Sequence, residues 1–126
     1  MILSREQSFD YKNPDPVIAH YKELTDSRQR VTFRMYQVVG DPPNIALLRS
    51  LKEREPQTPE ELFVNAYRII QRASDLTLDI FTYPGRLRML CGIDVFMEEE
   101  GVYFLADKGR LLTSIFDGRM PSAYSG

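Results

Sequence analysis

Glu99-Glu100-Gly101 separates two short apolar stretches, and that break limits what the chain can fold into. Before it, Ile93, Val95 and Met97 alternate with Asp94, Phe96 and Glu98, the two-residue period of a strand with one buried face. After it, Val102 to Leu105 is β-branched and aromatic, which suits a return strand. Gly101 supplies the positive φ that a tight turn asks for. Residues 93–98 and 102–105 are therefore expected to pair as an antiparallel hairpin. Its flanks read as helices. Pro84 fits a first helical turn, where its missing N–H costs nothing. Leu87, Leu90 and Cys91 then fall on one face, which directs Arg86 and Arg88 elsewhere. Gly92 is the expected stop. On the far side, Asp107 is placed to cap a helix whose apolar positions are Leu111, Leu112, Ile115 and Phe116.

The stretch upstream reads as helical. Asp15-Pro16 is a helix start, followed at helical spacing by Val17, Ile18, Tyr21 and Leu24. Thr25 to Arg30 holds neither glycine nor proline, so one long helix to about Val38 is expected. Gly40-Asp41-Pro42-Pro43 ends it. Asn44 is placed to cap a short helix carrying Ile45, Leu47, Leu48 and Leu51. Thr58-Pro59-Glu60-Glu61 is the strongest local signal. Thr58 caps, Pro59 comes first, and Glu61 closes a capping box three residues on. Leu62, Phe63, Ala66, Tyr67, Ile69, Ile70 and Ala73 give that helix a broad apolar face, expected in a core or an interface. Leu76, Leu78, Ile80 and Phe81 either continue it or form a short separate helix.

The segment from residue 84 to 116 resembles the end of a winged-helix domain. The carrying residues are R-L-R-M-L, then G-I, then E-E-G-V-Y-F-L-A-D-K-G-R-L-L. In that family a recognition helix precedes a two-stranded wing, and the second strand enters a helix through a pattern like Y-x-L-T-x-K-G-R-x-L. Tyr103, Leu105, Lys108, Gly109, Arg110 and Leu112 match it; Ala106 stands where threonine is usual. MarR-type and PadR-type regulators carry the pattern. So do the N-terminal dimerisation domains of small-molecule O-methyltransferases, in which the fold binds protein. The resemblance implies a mainly α chain with one β-hairpin: a winged-helix-like domain with N-terminal helical additions. It also implies that Tyr83, Arg86 and Arg88 face the major groove of DNA, with Glu98, Glu99 and Glu100 at the wing tip.

Composition narrows the function. The 126 residues suit one domain with its own core. The organisation read from the sequence is an arm over 1–14, a domain over 15–118 and a flexible tail over 119–126. A net charge of −2 argues mildly against a nucleic-acid binder, although a local basic patch suffices for one. One cysteine excludes an intrachain disulfide and a multi-cysteine metal site. The opening MILSREQSFD has no apolar core of a signal peptide, and no apolar run approaches the ~20 residues of a membrane span. A cytoplasmic protein is expected, without cofactor or metal.

No catalytic constellation stands out. His20 is the only histidine and reads as a surface or half-buried residue. Cys91 reads as a small core hydrophobe. Arg68 and Arg72, four apart, and Arg28, Arg30 and Arg34 form loose basic groups beside Arg86 and Arg88. The function expected first is a small non-enzymatic DNA-binding regulator, homodimeric through its long first helix and the Thr58–Ala73 helix. The alternative is a protein-interaction or dimerisation module on the same fold, which the acidic wing favours. The candidate partners are thus a second copy, duplex DNA or another protein, and no membrane.

Overall fold

A computed structural model describes residues 11–73 and 77–116. The chain runs α1 (Asp15–Glu23), α2 (Ser27–Val39), α3 (Pro42–Glu53), α4 (Pro59–Ala73), α5 (Tyr83–Gly92), β1 (Phe96–Glu99), β2 (Val102–Leu105) and α6 (Asp107–Phe116). It is mainly α with one antiparallel hairpin, the class read from the sequence. The expected 119–126 tail, the arm before Tyr11 and Leu76 lie outside the described residues.

The expected single helix from Asp15 to Val38 is two. Leu24 is extended, and Asp26 accepts a hydrogen bond from the Arg28 amide at 2.8 Å, capping α2. A capping aspartate starts a helix without help from glycine or proline. Asn44 likewise caps nothing. Gly40 ends α2, and α3 already begins at Pro42, where prolines are tolerated. Asn44 is buried inside α3 instead.

The capping box forms as expected. The Thr58 amide donates to Glu61 Oε1 at 2.9 Å, and the Glu61 amide donates to Thr58 Oγ1 at 3.1 Å. These bonds hold the Glu61 carboxyl below its usual range, the Thr58 amide contributing most. Behind the box, α4 buries Leu62, Ala66, Ile69 and Ile70. Its main partner is α3, which contributes Ala46, Leu47, Leu48 and Leu51. This pair is the centre of the core, so Leu62, Ala66, Ile69 and Ile70 of α4 pack within their own chain.

The hairpin pairs Phe96 with Leu105 and Glu99 with Val102. Glu100 and Gly101 form its two-residue loop, both at positive φ, 52° and 83°. That geometry matches the twist of the flanking strands. The strand starts at Phe96 and not at residue 93. Ile93 closes α5, and Asp94 turns left-handed at φ 69°. This bend resets the alternation. Val95 and Phe96 are both buried, while Met97 is 43% exposed. A third, one-residue strand joins β2: Gln57 exchanges backbone hydrogen bonds with Tyr103 at 3.2 and 2.8 Å.

Helix α6 docks through the residues of the K-G-R pattern. A Cβ on Gly109 would stand 2.1 Å from the Val95 carbonyl oxygen, so only glycine lets α6 approach. Arg110 grips Glu55 with two hydrogen bonds of 2.8 and 2.9 Å. Glu55 Oε1 also accepts from the Leu105 amide, tying the α3–α4 loop to β2. Asp107 is the first residue of α6, not its cap. Leu112 is buried, but Leu111 and Ile115, expected on the same apolar face, are exposed.

Buried tyrosines make the fold sensitive to alkali. Burial, and then the Glu98 charge, push Tyr103 up to about 12; burial also raises Tyr83 and Tyr11 well above 10. Their contribution is complete below pH 10, where the unfolded chain also keeps its phenol protons. It is lost as pH climbs through the folded values, because only the unfolded chain ionises on the way. The urea midpoint should therefore hold up to about pH 10 and fall between pH 10 and 12. Tyrosinate absorbance should report these groups ionising together with unfolding.

Candidate interaction surface

Of the three residues expected to face DNA, Tyr83 and Arg86 are buried. Arg86 is not directed away from the core; it is buried at 7% exposure. Its Nη1 donates to Asp41 Oδ2 at 2.7 Å and to Asn44 Oδ1 at 2.9 Å. Its guanidinium lies over the Tyr11 ring, 4.0 Å from the centroid. Tyr11 donates in turn to Asp41 Oδ2 at 2.8 Å and accepts from Asn44 Nδ2 at 2.8 Å. Arg86 thus fastens Tyr11 and the α2–α3 junction to α5. Tyr83 is buried too, its hydroxyl donating to the Pro59 carbonyl at 2.7 Å.

Arg88 alone of the three reaches solvent, and it shares its charge with Asp15 at 3.0 Å. Glu98, Glu99 and Glu100 are exposed at the hairpin end, as the sequence reading placed them. The end of the molecule that the resemblance turns toward a duplex thus offers one paired arginine and an acidic loop. Arg28, Arg30 and Arg34 do not add a patch. Arg34 is buried and donates to the Tyr21 hydroxyl, and Arg30 binds the Leu24 carbonyl at 2.6 Å.

His20 is exposed, its ring tilted against Phe33 at 5.4 Å. Burial pushes the half-buried Cys91 thiol up to about 11, so it stays protonated at neutral pH. Among the described residues, no group of three or more His, Cys, Asp or Glu is placed to hold a metal ion. Nor is any helix among them long and apolar enough to cross a membrane.

What the surface does offer is apolar. A groove of about 530 Å³ runs between the start of α4, the start of α5 and Tyr103. Phe63, Val64, Ile80, Tyr83 and Leu87 line it, and Glu60 is its one charged wall. Phe63 meets Tyr83 edge-on at 5.0 Å, which fixes the floor. At its rim Ile80 is 64% exposed, and the adjacent Phe81 is 81% exposed. Phe81 is held out, not left loose. Asp79 Oδ1 accepts from the Phe81 amide at 2.9 Å, and the Asp79 carbonyl accepts from Thr82. The sequence marked these apolar positions but not their side. Only Leu78 of the described Thr77–Phe81 segment turns inward.

No family model matches the chain, and no match to it was found among curated proteins or solved structures.

Proposed function

We propose that the chain is a protein-interaction module on a winged-helix arrangement, and that its partner is a second copy of itself. The arrangement is supported by the order of elements: α3, the one-residue strand at Gln57, α4, α5, then a hairpin whose second strand returns beside Gln57. The interaction reading rests on one observation above the others. An exposed apolar knob, Ile80-Phe81, stands at the lip of an apolar groove. A two-fold axis beside such a pair sets each knob into the other copy's groove, the self-complementary form of a closed dimer. Large aromatics seated in pockets carry most of the energy in interfaces of this kind.

A DNA-binding regulator is the second reading. It keeps Arg88, with Arg68 and Arg72 on the exposed side of α4. Light scattering on the wild type and titration with random duplex at low salt separate the two, since charge attraction is least screened there. The interaction module gives twice the chain mass and no duplex binding. A monomer that binds duplex with a steep salt dependence reverses the ranking.

A further inference from the structure

A second groove lies at the corner between α1 and α2 and shares no residue with the one at α4 and α5. It measures about 510 Å³. His20 and Leu24 of α1 form one wall, and Arg28, Phe33 and Tyr36 belong to the α2 wall. The Phe33 ring is held by tilted contacts with the Tyr21 ring at 5.7 Å and the His20 ring at 5.4 Å. α2 distributes its side chains against their polarity. It buries Arg34 and Gln37 and leaves Tyr36 50% and Val39 43% exposed. At about 100° per residue, Arg28, Thr32, Tyr36 and Val39 stack along the side of α2 away from Arg34 and Gln37. Large apolar side chains left outside beside a groove mark a contact surface.

The charge in this groove has one sign. Arg28 is exposed, and no carboxylate is among the lining residues. Asp26, two positions before it, caps α2 by accepting from the Arg28 amide, while the Arg28 guanidinium makes no ion pair among the described residues. The guanidinium stands on the first turn of α2, where the unsatisfied amides of a helix also attract an anion. That turn carries no acidic residue. The surface therefore has a direction. A cation marks one end, and apolar side chains continue to Val39 over roughly 16 Å of helix.

We infer that this face docks a short segment of a partner protein in which acidic residues sit beside apolar ones. Its carboxylates meet Arg28, and its apolar side chains lie along Phe33, Tyr36 and Val39, the way an amphipathic segment fills a groove. A guanidinium can hold a carboxylate through two parallel hydrogen bonds, which fixes the direction of the segment. A basic segment of the same apolar content is repelled. The surface lies apart from the contact proposed between two copies and leaves that contact free.

Fluorescence anisotropy with a labelled peptide of four glutamates followed by Phe-Leu-Leu-Phe tests it. Saturable binding that weakens with added salt is expected. Arg28→Glu should weaken it about tenfold or more, and Val39→Asp should do the same from the apolar end. Both side chains are exposed, so the far-ultraviolet spectra should stay those of the wild type. A peptide with lysines in place of the glutamates should bind Arg28→Glu better than wild type, a reversal that misfolding cannot produce. Phe81→Asp should bind the acidic peptide as wild type does, whether or not the wild type forms a dimer. Absence of saturable binding, or equal binding by wild type, Arg28→Glu and Val39→Asp, overturns the site. Loss of peptide binding in Phe81→Asp alone also overturns it, because the peptide then sits in the α4–α5 groove. Self-association that Val39→Asp abolishes and Phe81→Asp keeps overturns it in favour of a second copy on this face.

Discussion

Arg86→Ala is expected to destabilise the fold by about 3–5 kcal/mol, the range seen when one partner of a buried ion pair is removed. The cost comes from what the substitution leaves behind. Asp41 would keep a buried carboxylate that accepts from the Tyr11 hydroxyl, with its cation gone. Asn44 Oδ1 would lose its donor, and the Tyr11 ring would lose the guanidinium stacked on it. The chain around Tyr11 is seated tightly, since a Cβ on Gly85 would stand 1.5 Å from the Tyr11 carbonyl oxygen. Tyr11 cannot settle into the gap without moving α5. Against a total stability of ~5–15 kcal/mol, that loss leaves a marginal protein. Arg88→Ala is the control. Its bridge to Asp15 is between exposed side chains, and pairs of that kind are worth about 0–1 kcal/mol. Urea denaturation of both variants decides the matter. Equal stability of Arg86→Ala and wild type would mean that Arg86 is free for a ligand and not a fastener of the fold.

That contrast shows where sequence reading stops. The capping box at Thr58 and the turn at Glu100-Gly101 were legible because every group involved lies within four residues. The phase of β1 was not, because one left-handed residue, Asp94, turns the strand over, and aspartate adopts that conformation without announcing it. The break between α1 and α2 was written in Asp26, but it was masked by the helical period continuing on both sides. The burial of Arg86 was out of reach altogether. Its partner Asp41 is 45 positions away, and helical spacing placed Arg86 off the apolar face. The close approach at Gly109 is a tertiary fact of the same kind. Ile80 and Phe81 failed in the opposite sense. Composition says that such residues want burial, and here the fold places them outside, which a single sequence cannot distinguish from a core.

Phe81→Asp is expected to abolish self-association while leaving the fold intact. Phe81 is largely solvated within one chain, so the monomer loses almost no packing, and surface changes of this sort stay within about 0.5 kcal/mol. In the dimer the same position would carry a charge into an apolar groove with no cation among its lining residues. Loss of one seated aromatic costs about 2 kcal/mol or more, roughly thirtyfold in affinity, and a two-fold interface carries the change twice. Sedimentation equilibrium over a wide concentration range reads this directly. The account predicts a wild type at twice the chain mass and a Phe81→Asp variant at the single-chain mass, with equal urea midpoints once the wild type is diluted to monomer. A wild type that stays monomeric at the highest concentration, or a variant that dimerises as well as wild type, would contradict it.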